Sequence, residues 1–242
     1  MRLLENIAHS IGLRHWVEKN LLKPVRNWKK LTAATSFDAA LQGVAHQDAA
    51  TYAYENFKTA YYFQSKKSLY DFLLPLLNDK RGLCLEFGVF KGATINYFAK
   101  TLPQVQWHGF DSFEGLPETW SGTGLSKGAF SLDGKLPTVA TNVTLHKGWF
   151  DQTAPAFFNN QSTPVDFVHM DADLYSATHT ALEAITPHVV DGTMILFDEY
   201  FGQIAWREHE HKAFTEWLSK NNFQAQALAY ASNGAVLFTL QK

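Results

Sequence analysis

The sequence contains a single cysteine, Cys84, so no disulfide can close within the chain, and the small secreted scaffolds held together by such bridges are excluded. Cys84 stands between Leu83 and Leu85, the setting of a small core residue rather than of a reactive thiol. Glycine (15) and proline (8) are too few in 242 residues for a low-complexity or collagen-like chain. An excess of one charge is also lacking, since 21 Lys and Arg stand against 23 Asp and Glu for a formal net charge of -2. Such a chain carries no general basic footprint for nucleic acid and no polybasic patch for an anionic membrane. No apolar run reaches the roughly 18 residues of a membrane span. Arg2, Glu5 and His9 interrupt the apolar residues of the N-terminus, which therefore lacks the continuous apolar core of a secretory signal. A reducing, cytoplasmic setting is expected. Arg14, Lys19, Lys23 and Arg26 leave a membrane-surface helix over residues 1–31 as the alternative for that segment.

Hydrophobic residues make up 46% of the chain, enough for a sizeable core, and the length sits near the limit at which single cores stop growing. Residues 1–78 read as a helical extension or lid. Leu3, Leu4, Ile7 and Ile11, and later Leu69, Phe72, Leu73, Leu76 and Leu77, recur at three- and four-residue spacing. Between them Tyr52, Tyr54, Phe57, Tyr61, Tyr62 and Phe63 read as an aromatic helix face packed on the core, or as a cover for a ligand. From residue 79 the period changes. Strands are predicted over 83–89, 106–110, 143–146, 167–170 and 193–197, with helices over 93–101, 177–185 and 212–218. The apolar runs 223–230 and 235–240 flank Ser232-Asn233-Gly234 and predict a closing hairpin. Alternating strands and helices imply an α/β fold: a Rossmann-like, doubly wound and mostly parallel sheet with a C-terminal antiparallel hairpin and the N-terminal helical extension.

In such a sheet ligands bind outside the carboxyl ends of the strands, so the residues that follow each strand are the informative ones. Glu86-Phe87-Gly88-Val89-Phe90-Lys91-Gly92 follows the first. Gly88 lets the backbone turn and approach a ligand, Gly92 opens a helix, and Phe90 replaces the middle glycine of a dinucleotide fingerprint. A carboxylate could sit at that helix start while Glu86 holds an ammonium, which suits an amino-acid-like ligand. Asp111, at the end of the second strand beside Ser112, stands where an acid accepts the hydroxyls of a ribose. Trp149 follows the third strand and offers a ring for stacking an adenine. Asp171 and Asp173 follow the fourth strand, Asp198 and Glu199 the fifth. Acids gathered so closely repel one another unless a cation compensates them, and oxygen ligands in that number suit Mg²⁺. Capping of the next helix also fits Asp173, but it fits Asp198 and Glu199 poorly.

At these residues the sequence resembles class I S-adenosylmethionine-dependent methyltransferases, and more narrowly the macrocin O-methyltransferase (TylF/MycF) family. The resemblance runs from about Leu83 to Tyr200 and is carried by residues 86–92, by Gly109-Phe110-Asp111-Ser112-Phe113-Glu114-Gly115-Leu116-Pro117-Glu118, by Gly148-Trp149-Phe150 and by Asp171-Ala172-Asp173-Leu174-Tyr175. It implies that Glu86, Gly88, Gly92 and Asp111 contact S-adenosylmethionine, and that Asp171 with Asp198 and Glu199 binds Mg²⁺. Where members of that family carry Asp-Asp-Tyr, this chain has Asp198-Glu199-Tyr200, one methylene longer. The expected reaction is methylation of a hydroxyl on a small molecule such as a sugar or vicinal diol. The ion would lower the hydroxyl pKa, and Asp173, His209 or His211 would take the proton. His169, on a buried strand, is expected to be structural. A metal-dependent hydrolase using the same acids, and a non-catalytic binding protein on the methyltransferase fold, are the other readings. A homodimer is compatible with the apolar N-terminal extension.

Overall fold

A computed structural model describes residues 36–242. The expectations for the helical segment around Leu3 to Ile11 and for a membrane-surface helix over residues 1–31 lie outside the described residues. The chain divides into two compact units, Met1–Val44 and Ala45–Lys242. Of the first unit, residues 36–44 are described; they enter helix α1 (Phe37–Asn56), whose opening turn is capped by Ser36 Oγ accepting from the Ala39 amide at 3.2 Å.

The second unit is built on one eight-stranded sheet. In chain order it holds β1 (Tyr61–Phe63), α2 (Lys66–Leu77), β2 (Leu83–Phe87), α3 (Ala93–Thr101), β3 (Trp107–Asp111), β4 (Val143–Lys147), α4 (Phe150–Phe158), β5 (Val165–Met170), α5 (Tyr175–Ile185), β6 (Val189–Phe197), α6 (Glu210–Asn221), β7 (Gln224–Ala231) and β8 (Val236–Gln241). The strands lie in the order β1-β7-β8-β6-β5-β2-β3-β4. All neighbours pair in parallel except β8, which runs antiparallel to both β6 and β7. The doubly wound, mostly parallel sheet and its closing hairpin are thus as the sequence predicted.

Burial on both faces explains why the central strands read as continuous apolar runs. Leu85, Phe87, Val168, Met170, Ile195 and Phe197 face one layer, together with Ala154, Leu182, Phe214 and Trp217 of α4, α5 and α6. Cys84, Phe167 and Leu196 face the other, with Leu69, Leu73 and Leu77 of α2 and Ile95 and Phe98 of α3. Cys84 is fully buried, as its apolar neighbours implied. The period-two alternation also puts Glu86 and His169 on this second face, where they are register partners.

Two elements depart from the expectation. The aromatic segment is not one helix face: α1 stops at Asn56, and Tyr61–Phe63 extends the sheet by pairing with Ala229, Tyr230 and Ala231. Aromatic residues suit a strand as well as a helix, and β7, more than 160 residues away in sequence, decides the matter. Helix α4 was not expected, because Pro155 interrupts its pattern; the ring costs one backbone hydrogen bond while Ala154 and Phe158 still bury the inner face.

Phe167 is fully buried and meets Phe98 at 5.8 Å and Trp107 at 6.0 Å in edge-to-face contacts. Phe167→Ala is expected to cost about 3–5 kcal/mol in urea-unfolding stability, since the buried Phe98 and Trp107 rings beside it cannot fully collapse into the space.

Candidate functional site

The backbone ladder continues past the strand ends. Gly88 N donates to Phe110 O at 3.0 Å, Asp171 N to Phe87 O at 2.8 Å and Asp198 N to Met170 O at 2.9 Å. These bonds set the residues after β2, β3, β5 and β6 side by side at one end of the sheet. A cavity of about 450 Å³ opens there. Its floor is Gly88, Asp111, Asp171 and Asp173, and its walls include Trp120, Trp149 and Phe150. No lysine, arginine or histidine is found among the described residues that line it, whereas Asp111, Asp151, Asp171, Asp173 and Glu199 all do.

Gly88 has φ +92°, and a Cβ there would stand 1.8 Å from the Asp171 carbonyl oxygen. No other residue type fits that crossing of two loops. Asp111 shapes the same loop: Oδ2 accepts from the amides of Val89 (2.8 Å) and Phe90 (2.7 Å), and Oδ1 from that of Phe113 (2.6 Å). Three of the carboxylate's roughly four acceptor positions are therefore taken by backbone. Ser112 lines the cavity and accepts from Glu114 N at 3.1 Å. Gly92 lies outside it: its φ of +75° opens α3, and a Cβ would meet Asn96 and Val139.

Glu86 also lies outside the cavity lining. It is 1% exposed and pairs with His169 Nδ1 at 3.1 Å, while His169 Nε2 reaches Asp198 Oδ1 at 3.3 Å. Burial alone would lower the His169 pKa, but hydrogen bonds to Asp198 and Glu86 outweigh it and raise it to about 10. The two acids thus favour the charged form of the ring. Burial works against Asp198 too, yet His169 and Lys66 hold its pKa down to about 2. Asp198 Oδ1 accepts from Tyr70 Oη at 3.2 Å, and Oδ2 binds the Lys66 ammonium. His169 is structural, as expected, and its function is to bind two acids across three strands.

The acids that face the cavity behave differently. Burial first, then the charges of Glu199 and Asp198, push Asp173 up to about 8. Burial and Asp198 likewise raise Asp171 and Glu199. Asp173 holds φ +61°, a conformation aspartate tolerates better than most residues.

The histidines after β6 do not reach the cavity. His209 is buried, with Nε2 in contact with the Ser121 hydroxyl and carbonyl, both at 3.0 Å. His211 packs on Trp206 at 4.8 Å and on Tyr52 at 5.1 Å, and burial lowers its pKa to about 4. Sequence reasoning missed Lys66, Tyr70 and Trp120. Trp120 lies in the long loop between β3 and β4, and nothing local marked Lys66.

Mg²⁺ needs hard oxygen donors in near-octahedral array. His169, Asp171 and Asp198 offer ligand atoms within 4.8 Å of one another. Yet both ring nitrogens of His169 are already engaged, Nδ1 by Glu86 and Nε2 by Asp198. Both Asp198 oxygens are engaged, and Glu199 is not part of that group. The donor set as arranged does not fit Mg²⁺.

S-adenosylmethionine fits better. Its sulfonium and ammonium favour an acid-lined cavity without a basic side chain, and Trp149 and Phe150 offer aromatic faces for an adenine.

Residues 85–200 match the family model of a methyltransferase domain. The solved structure of CalS11, a calicheamicin methyltransferase, is similar with a TM-score of 0.58 and 23% identity, over 70% of this chain and 76% of that one. The O-methyltransferase NovP is similar at 0.52 and 20%, over 69% and 75%. An apo structure of CalS11, there described as a TDP-rhamnose 3'-O-methyltransferase, aligns at 0.51 and 23%, over 73% and 81%. No curated protein matches the sequence. Residues 85–200 are thus similar to a methyltransferase domain, and the fold is the one these O-methyltransferase structures share. No described helix is long and apolar enough to cross a membrane.

Gly88→Ala combines a forced left-handed backbone with a backbone collision, so it is expected to lose at least about 2 kcal/mol and to lower the thermal midpoint accordingly. His169 yields a pH prediction. Its folded pKa is raised, so its contribution is complete below the unfolded value and is lost as pH rises through about 10. Thermal midpoints measured from pH 7 to 11 should fall towards the upper end, and the fall should begin at lower pH in Asp198→Asn.

Proposed function

We propose that this protein is an S-adenosylmethionine-dependent O-methyltransferase acting on a hydroxyl of a small molecule, of the kind that methylates sugars. The observation that carries the reading is the acid-lined, aromatic-walled cavity at the carboxyl ends of β2, β3 and β5. The Asp111-Ser112 motif and the Asp171-Ala172-Asp173 motif both stand at its floor, and these are among the segments that resemble the macrocin enzymes. Similarity to CalS11 and NovP supports the small-molecule acceptor.

The cofactor supplies a sulfonium methyl that is already activated for displacement. The chain then has two tasks: to hold an acceptor oxygen in line with that methyl, and to receive the proton the oxygen loses. Gly88, Asp111 and Ser112 would hold the cofactor's ribose and amino-acid parts, with Trp149 against its adenine. Acceptor atoms would occupy the far half of the cavity, walled by Trp120, Leu116, Ser176 and Thr180. When bound, S-adenosylmethionine would give its methyl to the acceptor oxygen and leave as the thioether with the electron pair, and the acceptor proton would pass to a carboxylate. Asp173 is the best placed base. It lines the cavity, and a pKa near 8 gives it much more basicity than an ordinary aspartate while leaving part of it ionised at neutral pH. No step passes through a divalent ion. His209, with its Nε2 turned to Ser121, serves the fold of the 121 loop in this reading.

Calorimetric titration of S-adenosylhomocysteine into the purified protein should show micromolar binding, weakened in Trp149→Ala; no binding would overturn the reading. Transfer of labelled methyl from S-adenosylmethionine to a panel of deoxysugars should rise with pH to a plateau above about 8. Asp173→Asn should lower kcat by about 10²–10⁴ with little change in cofactor affinity. Because the Asp173 pKa is raised, its ionisation costs stability as pH rises from about 4 to about 8. The same variant should therefore gain thermal stability over the parent at pH 8 more than at pH 5.

A further inference from the structure

The acids at the strand ends need a cation, and the structure supplies one from the chain itself. The Lys66 ammonium binds Asp198 Oδ2 and feels Asp171 and Glu199 as further favourable charges. Its position is built in by several independent contacts. β1 is zipped to β7, Ser232 N donates to Phe63 O at 3.0 Å, and Ser232 Oγ donates to Gln64 O at 2.9 Å. Ser65 then caps α2, its Oγ accepting from Ser68 N at 3.1 Å, and Lys66 is the first residue of the helix. A cation at a helix N-terminus opposes the helix dipole. Asp198 compensates for it, and Tyr70, one turn further along α2, donates to the other oxygen of the same carboxylate at 3.2 Å.

We propose that Lys66 takes the place of a divalent ion in this site, as a positioning residue that holds Asp198 and sets the charge around Asp171 and Glu199. The inference rests on the methyl-transfer reading for its functional meaning. A tethered ammonium brings one positive charge and, unlike a metal ion, has no open coordination positions with which to chelate two neighbouring hydroxyls. The acceptor is then oriented by the walls of the cavity and deprotonated by a carboxylate, so a single hydroxyl suffices and a vicinal diol is not required. This also accounts for Glu199, whose longer side chain is not gathered with His169, Asp171 and Asp198. With Lys66 on Asp198, an exact metal-ligand geometry at position 199 is not demanded.

The test uses the purified full chain and Mn²⁺, with free ion followed by electron paramagnetic resonance. The parent should show no site tighter than about 1 mM, and Lys66→Met, which keeps the apolar stem, should bind Mn²⁺ at least about tenfold more tightly. Adding Asp198→Asn to Lys66→Met should abolish the gained site. Micromolar Mn²⁺ binding by the parent would overturn the proposal, as would a Lys66→Met protein that folds and gains no site. Lys66→Gln serves if Lys66→Met does not fold, as judged by circular dichroism, and the parent measurement stands in either case. Titration of S-adenosylhomocysteine into the same samples separates the two readings. Its failure would overturn methyl transfer and leave the Mn²⁺ result standing, whereas Mn²⁺ uptake by the parent with S-adenosylhomocysteine binding intact would overturn only the role of Lys66.

Discussion

The arrangement on which the rest of this site depends is the buried chain Glu86, His169, Asp198. It joins β2, β5 and the turn after β6 on one face of the sheet, with the imidazole of His169 between two acids that are almost wholly removed from water. An unpaired charge in that position would cost several kcal/mol. The three strands therefore share one register, and the loops that leave them are placed relative to one another. In the same register Gly88 passes close to the Asp171 carbonyl.

Outside that chain the site is divided by charge. On the helix side of the sheet end, cations from His169 and Lys66 keep Asp198 ionised. On the cavity side, Asp171, Asp173 and Glu199 have no basic neighbour among the cavity's described lining, and burial raises all three. One cluster of acids thereby yields a permanently charged member that organises the structure and a member near pH 8 that can exchange a proton. Divergent pKa values in neighbouring carboxyl groups are a general way for one site to hold both roles.

Much of this was legible before the fold was known. The strands were visible as short apolar runs that alternate with helical periods, and the acids were visible as residues that follow them. Asp111 was read as a ligand for ribose; the structure shows that most of its hydrogen-bonding capacity goes to the amides of Val89, Phe90 and Phe113, which a one-dimensional pattern cannot reveal. Glu86 was read as an ammonium ligand; in the fold its buried carboxyl meets His169 of β5, a partner no local pattern signals. His209 was read from its residue type, which suits proton transfer, whereas its position is set by the loop that holds Ser121. Lys66 is more than 130 residues from Asp198 in sequence and carries no local sign of its partner.

The sequence by itself determined the class of fold, the order of its central strands and helices, and the end of the sheet at which the cavity opens. These follow from hydrophobic period and from turn residues, which act over a few neighbours. The tertiary structure decided which acids face the cavity, which are already paired, and which cation compensates them. Those outcomes depend on side chains brought together across strands and from β1 and α2, and on desolvation, which exists only once the core has closed.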